Sequence, residues 1–283
     1  MKINLIKAEK ILSPTQISIA PYTINPYRGC PFGCLYCYAQ ENKAVKKQGL
    51  VWGEFIDIKI NCLELLEQEI KNKKIERVLL GSTVECYPPQ EEKFLLTQNI
   101  IKILNKNNVA ATILTKSPLI KRDLDIISQF NKNKIYLTIN FNSEKTKKIF
   151  EPNSSALEER LEILKEIQER DINNRVHIAP FLPYIQDIKT ICCSVEKYTQ
   201  EISIELYNFK MGNWPKIKKV IENNFDKKTI SKIERIISTK ENYESFIKQW
   251  TEEMKRIEKT LNKKLLLLAP DFNDYYRASA VYE

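Results

Sequence analysis

The sequence holds one histidine, His177, among 283 residues. That excludes any site built on several imidazoles. It also argues against ordinary zinc sites, which take four ligands in paired spacings such as C-x2-C, since no second cysteine pair exists to complete such a set. No apolar run approaches the roughly 20 residues needed to cross a bilayer. The opening stretch, Met1-Lys-Ile-Asn-Leu-Ile-Lys-Ala-Glu-Lys10, lacks the apolar core and small-residue cleavage site of a signal peptide. The expectation is a cytoplasmic protein, without a membrane partner, in a reducing compartment where thiols stay available for metal. Cysteine numbers seven, an odd count that argues against a disulfide framework. Arginine is scarce beside lysine in the net charge of +9, so the basic residues read as solvated faces rather than an arginine-lined groove. The excess fits a polyanionic partner, and equally a lysine-, asparagine- and isoleucine-rich composition of the kind AT-rich coding sequence gives. No internal repeat is visible beyond a strand–helix unit.

What is there centres on residues 25–39. Cys30, Cys34 and Cys37 fall within eight residues at spacing C-x3-C-x2-C. Three thiolates on one short loop can converge on a metal centre without help from distant chain, and Gly29 and Gly33 let the loop curl. An iron–sulfur cube with only cysteine ligands needs four thiolates, so three leave one iron open. The bland alternatives are a zinc knuckle one ligand short, with His177 as its only nitrogen candidate, or buried cysteines that bind nothing.

With 43% hydrophobic and 29% charged residues, the chain reads as a soluble globule, somewhat longer than the ~200–250 residues of a typical single barrel. Residues 16–22 read as a strand delivering the cysteine loop, 39–48 as a helix, 55–60 as a strand and 63–70 as a helix with Cys62 packed at its start. From residue 75 a compact apolar run alternates with helical spacing. Strands are expected at 77–81, 110–114, 135–139, 176–180 and 202–206. Helices are expected at 91–105, after a turn at 116–118 through Phe130, from Ser155 (capped by a Ser155/Glu158 box) and at about 188–199. Strands alternating with helices call for a parallel sheet. The fold class is therefore α/β, a partial (β/α)6 TIM-type barrel over residues 1–211, with a C-terminal helical extension at 212–283. Barrel sites gather at the C-terminal ends of the strands, where the cysteine loop also lies. Residues 212–264 hold 14 Lys/Arg against 8 Asp/Glu. Tyr243, Phe246, Trp250, Met254, Ile257 and Leu261 make a stripe expected to be core. The aromatic, acidic tail 270–276 has no assignment.

The cysteine spacing, with an aromatic before the last cysteine, resembles the signature of the radical S-adenosylmethionine (radical SAM) superfamily. Asn25-Pro-Tyr-Arg-Gly-Cys30 with Tyr36-Cys-Tyr-Ala39 resembles the opening of its spore photoproduct lyase-like branch, the DNA repair photolyase type. Lys59-Ile-Asn61, Glu85-Cys-Tyr-Pro-Pro-Gln-Glu91, Thr115-Lys-Ser117, Arg122-Asp-Leu-Asp125, Phe150-Glu-Pro152, Glu159-Arg160 and Ile178-Ala-Pro180 are similar to that branch in the same order, over roughly residues 22–206. The resemblance implies a 4Fe–4S cluster on Cys30, Cys34 and Cys37. Its open iron would chelate S-adenosyl-L-methionine, cleaved after one-electron reduction to a 5′-deoxyadenosyl radical. It further implies Tyr36 against the adenine, Lys116 pairing with the cofactor carboxylate, Thr138 near the ribose and Asn140 beside it. The Gly81-Ser82-Thr83 turn stands where many members have Gly-Gly-Glu, which makes Ser82 and Thr83 cofactor candidates.

Ser82 also aligns with the cysteine that returns a hydrogen atom in the lyase, and a serine O–H is a poor hydrogen-atom donor. Cys86, four residues on, is the candidate replacement, and Tyr36 with Tyr38 matches the lyase's tyrosine pair for a relay. Three expectations follow for function. The first is a radical SAM enzyme acting on a nucleic-acid lesion or base, which would be flipped out to reach the radical. The second is radical modification of a peptide or small metabolite. The third is a non-catalytic iron–sulfur binding module, which would have no use for Lys116 or Thr138. A reductant such as a flavodoxin or ferredoxin is implied; oligomeric state stays open.

Overall fold

The computed structural model describes residues 1–42, 45, 49–210, 213–272 and 278–282. The chain forms two compact units. The first comprises Met1–Cys34, Ala39–Leu137 and Pro152–Asn174, and the second Leu35–Tyr38, Thr138–Glu151 and Arg175–Glu283.

The first unit carries strands β1 (Lys2–Ile6), β2 (Leu12–Pro14), β3 (Tyr22–Ile24), β4 (Tyr27–Arg28), β5 (Phe55–Lys59), β6 (Arg77–Leu80), β7 (Ala110–Thr115) and β8 (Lys134–Thr138, its last residue in the second unit). A small sheet runs β1-β5-β4, with β1 parallel and β4 antiparallel to β5. The larger run is β8-β7-β6-β3-β2, parallel from β8 to β3. Val78, Leu79 and Leu80 are all fully or nearly fully buried, as a parallel strand covered on both faces requires. The strand expected at 16–22 is displaced. Residues 16–20 are the connection of the antiparallel β2–β3 hairpin, closed by Thr15 N–H donating to the Pro21 carbonyl.

Several expected helices differ in detail. Cys62–Lys71 is as read, with Cys62 fully buried. The helix at 91–105 is split into Glu91–Phe94 and Leu96–Lys106 by Leu95 at φ 52. Glu91 provides the reason, since its carboxylate accepts from Thr97 N–H at 3.0 Å and Gln98 N–H at 3.1 Å. It thereby caps amides that would otherwise be orphaned at the second helix's start. The segment after Lys116 is a 3-10 turn, Pro118–Asp123, then a helix Leu124–Ser128. The expected capping box does not form; only its reciprocal half appears, one residue on, where Glu159 accepts from Ala156 N–H at 2.8 Å, while Ser155 Oγ donates to the Lys116 carbonyl at 2.6 Å. Of the helix read at 39–48, Tyr38–Glu41 is a short 3-10 turn, and 43–44 and 46–48 lie outside the described residues.

The second unit carries β9 (Asn174–Phe181, its first residue in the first unit), β10 (Glu201–Leu206), β11 (Leu265–Pro270) and β12 (Ala278–Tyr282). The strands β9, β10 and β11 are parallel, and β12 is antiparallel to β11. The helical extension is present as Trp214–Asn224, Lys227–Ser238 and Lys240–Leu261. The strand β11 then continues the parallel order, which the periodicity reading missed. Tyr243, Trp250, Met254 and Ile257 are buried, and Trp250 stacks on Phe181 with ring centroids 5.4 Å apart. The expected stripe is core. Among the described residues no helix is long and apolar enough to cross a membrane. Residues 273–276 of the unassigned tail lie outside the described residues.

Candidate active site

In the first unit the strand register places the chemistry-bearing residues. Ile24 pairs with Leu80 and Leu80 with Ile113, so Asn25, Gly81-Ser-Thr83 and Lys116 all emerge at the C-terminal ends of parallel strands. Gly81 sits at φ +84, where an added Cβ would lie 2.6 Å from the Leu114 carbonyl oxygen, so only glycine fits. Ser82 is buried, sharing a 2.6 Å hydrogen bond with Thr23 Oγ1 and accepting from Asn25 Nδ2 at 3.1 Å. Thr83 N–H donates to Asn25 Oδ1 at 3.1 Å. Asn25 thus ties the turn after β6 to the start of the cysteine loop. Lys59 Nζ holds the Asn25 carbonyl at 2.7 Å, and burial lowers this lysine's pKa.

The cysteine loop is fixed by close backbone packing. Gly29 stands at φ +78, and a Cβ there would meet Phe55 at 2.5 Å. Asn153 Nδ2 donates to the Pro31 carbonyl at 3.1 Å. Cys30 and Cys34 are buried, and the Lys116 ammonium lies 3.6 Å from Cys34 Sγ. Lys116 is itself anchored through its backbone. Its N–H donates to Glu85 Oε2 at 3.1 Å, and its carbonyl accepts from Ser155. Glu85 Oε1 also accepts from Thr115 Oγ1 at 2.5 Å and Tyr87 N–H at 2.9 Å. Glu85 and Ser155 thus hold the backbone of Lys116, contacts that the motifs alone do not show. Their roles required knowing which strand ends meet.

Cys86 is fully buried, and its S–H donates to the Leu114 carbonyl at 3.5 Å. Burial, with Glu85 and Glu91 nearby, pushes its pKa well up. It is held as a thiol, the form able to give up a hydrogen atom.

The second unit contains Tyr36, Cys37, Tyr38, Thr138 and Asn140. The Tyr36 hydroxyl donates to Glu151 and accepts from Asn140 Nδ2 at 2.8 Å. Asn140 is fully buried; its amide also donates to the Ala179 carbonyl at 2.9 Å and accepts from Ala179 N–H at 2.8 Å. Thr138 is buried at the end of β8. Tyr38 is exposed.

His177 and Glu205 form a pair missed by the sequence reading, which had no means of aligning two strands' registers. His177 Nδ1 lies 2.8 Å from Ser203 Oγ, and Nε2 lies 3.7 Å from Glu205 Oε2. Burial pushes Glu205 up to about 7. A carboxyl whose folded pKa exceeds its unfolded value of 4.5 contributes stability that is complete below 4.5 and lost as pH rises through 7. Glu205→Gln is therefore expected to be more heat-stable than wild type at pH 8, by about 2 °C given partial solvent exposure, and indistinguishable at pH 4.5. Paired melting curves check this; an equal difference at both pH values would remove burial as the cause.

Among the described residues no three His, Cys, Asp or Glu side chains crowd closely enough to hold one metal ion. Ligands of a single zinc would stand about 4 Å from one another. A cube instead takes each cysteine on a different iron. The donor set of three cysteine sulfurs on one loop, with an ammonium beside one of them and no fourth cysteine in that loop, fits a cluster with one open iron.

Comparison with known proteins bears on this directly. A model of the radical SAM superfamily matches residues 24–192. An uncharacterized protein of Methanocaldococcus jannaschii is 35% identical over 226 residues, 80% of this chain and 84% of that one. Among solved structures, a variant of spore photoproduct lyase with bound AdoMet and dinucleoside spore photoproduct aligns at TM-score 0.64 and 14% identity, over 94% of this chain and 80% of that one. Streptococcus suis SuiB bound to the precursor peptide SuiA aligns at TM-score 0.58 and 15% identity, over 88% of this chain but only 48% of the other. These likenesses show the fold, the α/β partial TIM-type barrel expected from the sequence. With the family model covering more than half its length, the chain belongs to the radical SAM superfamily, whose members use a 4Fe–4S cluster and S-adenosylmethionine.

Proposed function

We propose that this protein is a radical SAM enzyme of the spore photoproduct lyase-like type, acting on a nucleic-acid lesion or base. The observation that carries the reading is the approach of Lys116 to Cys34, 82 residues apart in sequence, at 3.6 Å. It joins the residue the motif assigns to the cofactor's carboxylate with one assigned to the cluster. Cys30, Cys34 and Cys37 would hold the cluster. Bound together, cluster and cofactor supply a 5′-deoxyadenosyl radical that takes a hydrogen atom from a substrate C–H bond.

The chain's own residues bind, orient and exclude water. Lys116 offers a point charge to a carboxylate, with its backbone fixed by Glu85 and Ser155 so that the ammonium does not wander. Thr83, Ser82 and Asn25 form a hydrogen-bonded turn whose backbone serves the cofactor's amino group. Tyr36 presents a ring locked by Glu151 and Asn140, so Asn140 acts by positioning it; Thr138 lies on the ribose side. Cys86, kept as a thiol, is the hydrogen-atom donor to a product radical, with Tyr38 as the relay. A flavodoxin- or ferredoxin-type protein supplies the electron, and the reaction takes place in the cytoplasm.

A second reading, radical modification of a peptide or small metabolite, is favoured by Ser82. Its hydroxyl is committed to Thr23 and Asn25, so the aligned donor position of the lyase is chemically silent here. The likeness in fold to peptide-bound SuiB supports it.

The test uses anaerobically reconstituted protein with dithionite, S-adenosylmethionine and a dinucleoside spore photoproduct. The enzyme reading expects 5′-deoxyadenosine; none, with an intact cluster, leaves only a binding module. The lesion reading expects loss of the photoproduct, and 5′-deoxyadenosine without that loss shifts the balance to the second reading. Cys86→Ala is expected to keep forming 5′-deoxyadenosine while photoproduct turnover stalls. Unchanged turnover would remove Cys86 as the donor.

A further inference from the structure

The helix Lys227–Ser238 has two faces. Ile230, Ile233 and Ile236 are buried. On the opposite side Lys227, Lys228, Ser231, Lys232 and Arg235 are all exposed and form one open cationic face. No carboxylate lines it. Some cations on the neighbouring helices are paired, Lys218 with Glu222 and Glu234 and Lys240 with Glu244. Among the described residues, none of this face's four cations is in a salt bridge. What sets this helix apart is that its four unneutralised charges lie along one stripe and so add their fields on one face.

A second observation points the same way. Tyr184 is 51% exposed, at φ 64, on the loop following β9. A non-glycine residue in left-handed backbone marks a position worth explaining. The Lys232 ammonium sits 5.1 Å from its ring centroid. The loop is fastened by Gln186, whose amide donates to the Asn140 and Pro180 carbonyls at 2.9 Å. Asn140 is the residue that holds the Tyr36 hydroxyl. An exposed aromatic ring therefore stands at the strand-end rim where barrel sites gather, with a cationic stripe leading from it.

We propose that this cationic face and Tyr184 form a docking strip for a nucleic-acid strand, its phosphates along Lys227, Lys228, Lys232 and Arg235 and one unstacked base on the Tyr184 ring. Cationic grooves with a stacking platform are how single strands are bound without sequence preference, and an extruded base needs such a hold beside the barrel mouth. The inference rests on the nucleic-acid reading above and adds the surface that serves it.

Fluorescence anisotropy with a labelled single-stranded oligodeoxynucleotide, over a sodium chloride series, tests it. Lys228→Gln with Arg235→Gln is expected to weaken binding roughly tenfold at low salt and to flatten the log–log salt slope by about 1.4. Tyr184→Ala is expected to weaken binding about five- to a hundredfold while leaving the slope unchanged. Each variant should form 5′-deoxyadenosine without DNA at the wild-type rate, which reports that it is folded. An unchanged slope in the double variant, an unchanged affinity in Tyr184→Ala, or equal competition by polyglutamate would overturn the strip. Wild type that cleaves the cofactor but does not bind DNA overturns the strip and the lesion reading together. Wild type that binds DNA but forms no 5′-deoxyadenosine overturns the enzyme reading alone.

Discussion

Cys34→Ala is expected to leave a folded protein that cannot retain its iron and forms no detectable 5′-deoxyadenosine. The thiolate is the form that binds metal, and Cys34 has an ammonium 3.6 Å from its sulfur to favour that form. Cys30→Ala and Cys37→Ala should behave alike, because a cube stripped to two protein thiolates has lost the minimum that its loop provides. The contrast lies in the remaining cysteines. Burial pushes Cys62 and Cys192 up to about 12, which keeps them as thiols in the core. Cys62→Ala and Cys192→Ala should therefore retain about four irons per chain at some cost in stability. Iron analysis would read both sets. Iron retained in Cys34→Ala would mean that the ligand set has been misassigned.

Glu91→Ala is expected to destabilise the fold by about 3–5 kcal/mol, without any direct effect on chemistry. Glu91 is fully buried and accepts from the Tyr27 hydroxyl, from Thr97 and Gln98 N–H, and from Arg122 Nη2 at 3.0 Å. Arg122 also pairs with the buried Asp123 at 2.8 Å, and those hydrogen bonds raise its pKa. Removing Glu91 leaves the Tyr27 hydroxyl, two helix-start amides and half of a guanidinium without their acceptor. Unmet buried donors are what make such deletions expensive. Tyr27→Phe, which removes a single hydrogen bond from the same hub, should cost about 1 kcal/mol. Urea titrations of the two variants would separate the cases; similar small losses in both would mean that the hub relaxes around water.

These two predictions draw on different depths of the sequence. The cysteine loop was legible because its spacing is local: Cys30, Cys34 and Cys37 are covalently close, and Gly29 and Gly33 occupy the left-handed conformations that the curl demands. The parallel strands β6 to β10 were legible because each is a compact apolar run between helical periods. Glu91 was visible only as the end of a motif. Its function as a cap depends on Leu95 turning the chain into a second helix, and no local propensity of leucine announces φ 52. The expected Ser155/Glu158 capping box failed for a related reason. Ser155 had a better long-range acceptor in the Lys116 carbonyl, and tertiary hydrogen bonds override local cap preferences. The strand β11 was hidden because Leu265 to Leu268 is as compatible with a helix end as with a strand until β10 offers it an edge. Glu205 and His177 lie on separate strands, 28 residues apart in sequence, and only the β9–β10 register brings them together.

The most direct measurement is electron paramagnetic resonance of anaerobically reconstituted, dithionite-reduced protein, recorded before and after addition of S-adenosylmethionine. An open iron beside Lys116 predicts the spectrum of a reduced 4Fe–4S cluster whose g-values shift when the cofactor is added, with the shift lost at equal cofactor concentration in Lys116→Ala. A spectrum indifferent to the cofactor, or protein that takes up zinc and no iron, would contradict it.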